Sequence, residues 1–94
     1  MSLEKLRSEI DRVDSDIIRL IAQRQKISGA IAQFKISNSL PIHDEKRTTD
    51  VLRGVFDKAV ESRIDPVATQ KIFEMLIAMS EERQHECSGE GNLP

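Results

Sequence analysis

LEKLRSEIDRVDSDIIRLIAQRQKISGAIAQF, residues 3–34, reads as one helical pattern without a break. Its apolar positions are Leu3, Leu6, Ile10, Val13, Ile17, Leu20, Ile21, Ile27, Ile31 and Phe34. Steps of three and four keep them on one stripe of a helix. No proline interrupts the run, and its one glycine, Gly29, weakens it only locally. A helix of roughly 33 residues is about 50 Å long at 1.5 Å per residue. A compact domain of this size has a radius of gyration near 12 Å and is only about 30 Å across. The helix outruns its own globule, so either it protrudes or a second chain covers it.

Outward from this helix, Ser2 is a natural N-cap and Glu4 opposes the dipole in the first turn. Ser37-Asn38-Ser39-Leu40-Pro41 ends the helix near Ile36, because Leu40 precedes a proline and avoids helical geometry. Asp44 caps a second helix with a stripe of Val51, Leu52, Val55, Phe56, Ala59 and Val60. Asp65 followed by Pro66 is a strong start signal, since proline lacks an N–H that would be orphaned there. The third helix carries Val67, Ile72, Phe73, Leu76, Ile77 and Met79 and is expected to reach about His85. The expectation is an all-α fold of one long and two shorter helices in an intertwined homodimer. Residues 1–86 form the domain and 87–94 a disordered tail. At about 27 and 30 Å, the shorter helices cannot cover the first alone.

Composition narrows the function. The chain has 94 residues and a net charge of -2, so a basic nucleic-acid face is not expected. Cys87 is the only cysteine, which rules out an intrachain disulfide and suggests no cysteine metal site. No apolar run approaches a membrane span, and Met1-Ser2-Leu3-Glu4-Lys5 does not resemble a signal peptide. A cytoplasmic location without membrane or nucleic-acid partners follows as an expectation.

Arg24 and Lys35 are eleven positions apart. They therefore share a helix face to within about 20° and lie about 16 Å apart along the axis. Arg7 precedes Arg24 by seventeen positions, which puts it roughly 100° away and about 25 Å distant. One chain's Arg7 and Arg24 cannot grip the same small molecule; if both act in one site, Arg7 must come from a partner. Asp44 with Arg47, and Ser80 with Gln84, fall three and four apart on their helices. Cations with neutral hydrogen-bonders suit a small dicarboxylate, because arginine forks onto carboxylates and lysine acts as a point charge. Such a set of fixed donors catalyses by positioning and electrostatics. No nucleophile, paired carboxylate set, metal ligand cluster or cofactor motif accompanies it.

Leu6-Arg7-Ser8-Glu9-Ile10-Asp11-Arg12-Val13-Asp14, continued by Ile17 to Arg24, resembles the opening of the all-helical AroQ-class chorismate mutases. Phe34-Lys35 with Leu40-Pro41-Ile42-His43-Asp44-Glu45-Lys46-Arg47 resembles the family's middle segment, and Ile72-Phe73 through Ser80 and Gln84 its close. The likeness runs from about residue 3 to 84 without gaps. It implies an obligate, intertwined homodimer with two sites, each borrowing one arginine. It implies that Arg24 and the partner subunit's Arg7 bind two carboxylates, and that Lys35 and Gln84 donate to the ether oxygen as catalytic groups. Arg47 and Ser80 would complete the polar wall, and the Asp44 backbone would meet the ring hydroxyl. The implied activity is an isomerase of the shikimate pathway of aromatic amino acid biosynthesis, rearranging chorismate to prephenate without a cofactor or metal.

One position departs. Thr48 stands where these mutases usually carry a glutamate that accepts from the ring hydroxyl. Isochorismate-pyruvate lyases share the fold and also lack that glutamate, and 4-amino-4-deoxychorismate mutases alter the same end of the substrate. Both stay as alternatives, although Asp44 and its spacing from Pro41 look mutase-like. From another class, a non-catalytic helical dimerisation module explains the stripes equally well, but not Lys35, Arg47 and Gln84. Plainer readings stand beside these: Arg7 pairing with Asp11 at i+4, Ser80 and Gln84 as a core polar pair, Glu81-Glu82 as a solvated face. His43 and His85 read as exposed, with no metal spacing, and Cys87 as incidental.

Overall fold

The computed structural model describes residues 2–89 and contains three helices: α1 (Leu3–Ser37), α2 (Glu45–Glu61) and α3 (Pro66–Ser88). Each start is set by its cap. The Ser2 hydroxyl accepts from Lys5 N at 3.1 Å, and the Asp44 carboxylate from Arg47 N at 3.0 Å. Asp65 accepts from Val67 N and Ala68 N, with Pro66 in the first turn. Capping bonds of this kind are each worth about 1 kcal/mol.

The first two helices end without glycine. Ser39 and Arg63 take positive φ, 54° and 59°. Beyond them Leu40 N donates to Lys35 O at 2.8 Å, and Ile64 N to Ala59 O at 3.0 Å. Both ends are thus six-to-one Schellman closures with a side-chain-bearing residue in the left-handed position. α3 runs to Ser88, three residues past the expected His85, and is capped by Gly89 at φ 86°. The extension has a packing cause: a Cβ on Gly29 of α1 would lie 3.5 Å from Cys87 Sγ, so the last turn rests on α1. Cys87 and Ser88, assigned from sequence to a disordered tail, are therefore helical, while residues 90–94 of that tail lie outside the described residues.

α3 packs on both neighbours. Arg24, Ser28 and Lys35 of α1 meet Leu76, Ser80 and Gln84 of α3, so these two helices run in the same direction. Gln70 of α3 reaches Leu52 O of α2 at 2.9 Å, on the antiparallel seam that also holds Val55 and Ala59. Little apolar surface is buried: Ala32, Val55 and Ala59 are the buried hydrophobic residues among those described. The molecule extends over 54 × 27 × 21 Å with a radius of gyration of 16.6 Å. A compact chain of this length would have about 12 Å. Every residue of α1 from Leu3 to Leu20 is exposed. Leu6, Ile10, Val13, Ile17 and Leu20 keep 41–59% of their surface open. No helix among the described residues is long and apolar enough to cross a membrane.

Candidate active site

The second half of α1, the first two turns of α2 and the second half of α3 enclose a cavity of about 440 Å³. That volume suits a small organic ligand. From α1 come Arg24, Ile27, Ser28, Ile31 and Lys35; from the α1–α2 connection, Ile42 and Asp44; from α2, Arg47, Thr48 and Val51; from α3, Ile77, Ser80, Glu81 and Gln84. Seven of the eight residues expected from sequence line it: Arg24, Lys35, Asp44, Arg47, Thr48, Ser80 and Gln84. Arg7 does not. It sits on the exposed half of α1, about 25 Å along the axis from Arg24. Nor does it form the surface ion pair with Asp11 that its spacing allows.

The polar wall is a single directed chain of hydrogen bonds. Lys35 Nζ donates to Ile42 O at 2.5 Å and to Gln84 Oε1 at 2.9 Å. Gln84 Nε2 donates to Ser80 Oγ at 3.3 Å. Ser28 Oγ donates to Arg24 O at 2.9 Å, which uses its one proton. The 2.5 Å contact between Ser28 and Ser80 is therefore donated by Ser80. Apart from the branch to Ile42, every link points from Lys35 towards the backbone of Arg24. Two of the three Lys35 donors and one of the two Gln84 amide donors are used within the chain, leaving one on each for a ligand.

Burial makes this wall rigid. Gln84 is 5% exposed and Ser28 3%. Buried polar groups of this kind are costly unless bonded, and no buried side-chain N or O among the described residues lacks a partner. Arg24 is held by Nη1 donation to Leu76 O at 3.3 Å, with its guanidinium 5.9 Å from the centre of the Phe73 ring. The Asp44 carboxylate caps α2 through Oδ1, and the Asp44 carbonyl accepts from Thr48 N at 3.0 Å. Three cations, Arg24, Lys35 and Arg47, stand in this lining against two carboxylates, Asp44 and Glu81. An α2 N-terminus adds a partial positive charge.

Sequence reasoning missed three members. Ser28 reads as one more polar residue on a long helix; only its position between Arg24 and α3 makes it part of the wall. The Ile42 carbonyl carries no side-chain signal at all. Glu81 was expected on a solvated face beside Glu82; it lines the cavity and lies 2.7 Å from His43 Nδ1. His43 is exposed as expected, but its two ring nitrogens have carboxylate partners, Glu81 and Glu45 at 2.9 Å. The bonds to Glu81 first, then Glu45, raise its imidazole above the ordinary 6.5.

An all-helical cavity walled by cations and amide donors, with apolar sides, is complementary in charge and size to a small organic anion. The sequence profile of the chorismate mutase type II family matches residues 6–85, and the chain belongs to this family. It is 31% identical to the chorismate mutase of Methanocaldococcus jannaschii over 75 residues, which cover 80% of this chain and 76% of that one. It is 38% identical over 53 residues, 56% of its length, to the bifunctional chorismate mutase/prephenate dehydratase of Aquifex aeolicus. A bifunctional protein of the same name from Buchnera aphidicola (subsp. Schizaphis graminum) is 31% identical over 83% of this chain. The matches span only 15% and 20% of those two bifunctional proteins. Among solved structures, a conserved hypothetical protein from Pyrococcus furiosus superposes with a TM-score of 0.71 at 38% identity, covering 87% of this chain and 93% of that one.

Proposed function

We propose that the protein is a chorismate mutase, an isomerase that rearranges chorismate to prephenate within an intertwined homodimer. The observation that carries this reading is the pair of half-buried Lys35 and buried Gln84, bonded to each other and each holding one donor in reserve over the cavity. In the rearrangement the enolpyruvyl C–O bond breaks as a C–C bond forms, and negative charge grows on the ether oxygen. Lys35 and Gln84 oppose that charge more strongly in the transition state than in the ground state, which raises the rate. The relay through Ser80 and Ser28 fixes the amide so that little reorganisation accompanies reaction. Arg24 takes one carboxylate and the partner subunit's Arg7 the other, which holds the flexible substrate in its reactive shape. Arg47, Ser80 and the Asp44 backbone complete the wall. No step calls for a cofactor or a metal. The catalytic unit is the helical domain, expected from sequence to end at residue 86 and carried by α3 to Ser88.

Dimerisation accounts for the open half of α1. On an ideal helix Leu6, Ile10, Val13 and Ile17 lie within about 40° of Arg24, the face that α3 occupies further along. A second copy seated on that stripe would bury it and bring its own Arg7 to this cavity. Thr48 favours a second reading of the substrate. It offers the cavity a neutral hydroxyl, which accommodates a ring amine as in 4-amino-4-deoxychorismate, or the isochorismate of a pyruvate lyase.

A substrate panel decides between them. Chorismate should lose its absorbance on addition of the protein and give prephenate alone by chromatography. Pyruvate from isochorismate selects the lyase, turnover of the amino analogue selects that mutase, and no turnover of any of the three refutes the enzyme.

A further inference from the structure

The rim of the cavity holds a second electrostatic arrangement that the proposed reaction does not use. Glu81 is a carboxylate in the lining of a site read as binding a dianion, where its charge opposes the ligand. It does not stand alone. His43 Nδ1 lies 2.7 Å from Glu81 Oε1, and His43 Nε2 lies 2.9 Å from Glu45 Oε2. Carboxylates only accept, and a neutral imidazole has a single N–H. Both short contacts are bonds only when the ring carries two protons. The geometry by itself therefore calls for imidazolium.

His43 is also well placed to act on the site. Its neighbour Ile42 offers the carbonyl that seats Lys35 Nζ, and its other neighbour, Asp44, caps α2. The charged groups that face the ring are Glu81 from α3 and Glu45 from the first turn of α2; from α1, the ammonium of Lys35 is turned to the adjacent carbonyl. We propose that protonated His43 is a positioning residue for substrate binding: it neutralises Glu81 at the rim of the cavity and ties the 41–44 connection to α3. This rests on the reading of the cavity as the chorismate site.

The consequence for kinetics is specific. The rearrangement moves charge within the substrate but leaves its net charge at two negatives. A fixed charge at the rim therefore acts nearly equally on ground and transition states. Such uniform effects appear in KM and not in kcat. As pH rises through the raised pKa of His43, Glu81 is uncovered and KM should climb. The sign for stability agrees: the pKa lies above the ordinary 6.5 of an unfolded chain. The contribution is thus fully present below that value and lost as pH rises through the folded one.

The test pairs a kinetic profile with a spectroscopic one, in the full chain and in Glu81→Gln. Histidine-resolved NMR should show His43 titrating above the ordinary histidine range and falling towards it in Glu81→Gln. In the unmodified protein KM for chorismate should rise severalfold across that titration, with kcat changing little. In Glu81→Gln the rise should move to lower pH together with the His43 titration, and KM above that titration should stay below the unmodified protein's. A KM rise that stays at the same pH in Glu81→Gln, or a His43 that titrates at its ordinary value, overturns the proposal. If chorismate is not turned over at all, the mutase reading fails; the NMR titration, repeated with and without prephenate as a dicarboxylate probe, still decides the His43 assignment. The probe should raise the His43 pKa further, and no response overturns the link to the site.

Discussion

The two halves of α1 are built from one helical pattern and meet different fates. From Ile21 to Ser37 the helix has α3 against it, and the face so covered is polar or small: Arg24, Ser28, Ala32, Lys35. From Leu3 to Leu20 the continuation of that face is aliphatic and exposed. The apolar half is uncovered while the polar half is packed, the reverse of what burial of one chain alone would select. The difference is intelligible if each half answers to a different partner. On the proposed reading the docked half gives up hydrophobic contact to build a site, and the open half retains it for a second chain. At about 25 cal/mol per Å² of apolar area, a monomer forgoes a large part of the stability its sequence offers.

The comparison can be broken first at its catalytic end. Lys35→Ala should lower kcat by about 10²–10³ or more while circular dichroism shows the helices intact. A Lys35→Ala protein of near-normal kcat would remove the docked half from the chemistry. At the other end, Ile10→Asp places a charge in the middle of the aliphatic stripe. Light scattering should then show a smaller species at micromolar concentration, with activity lost in step; an Ile10→Asp protein with unchanged mass and rate would mean that the stripe has no partner. A finer cut is Ser28→Ala, which leaves the Ser80 hydroxyl without its acceptor. Denaturant unfolding should show a loss of about 1–3 kcal/mol, and kcat should fall less than for Lys35→Ala because Gln84 keeps its bond to Lys35. No measurable loss would make the directed relay incidental.

Much of this was legible in the residues. Asp65-Pro66 and Asp44 announced their helix starts, because a cap is a local contest between side chain and backbone. The seven cavity positions were legible because the family motif fixes their order, six of them on the three helices and Asp44 at the α2 cap. What escaped the sequence depends on contacts between elements. The Ser37–Pro41 break was read correctly, but the left-handed turns at Ser39 and Arg63 had no glycine to announce them. Ser28 and Glu81 look like ordinary helix-surface residues until α3 and the 41–44 connection are in place. The last turn of α3 was hidden for the same reason, since Cys87 is held by packing on Gly29 and not by propensity.

The central claim is that the open half of α1 serves the neighbouring chain's cavity, and mixed dimers test it directly. Arg7→Ala and Lys35→Ala proteins, each nearly inactive alone, are unfolded together and refolded as a mixture. Random pairing makes half the dimers mixed, and in a two-fold dimer each mixed pair holds one site with both groups intact, so about one quarter of the unmutated activity should return. Recovery no greater than the average of the two separate proteins would contradict the account, because Arg7 would then act in its own chain or not at all.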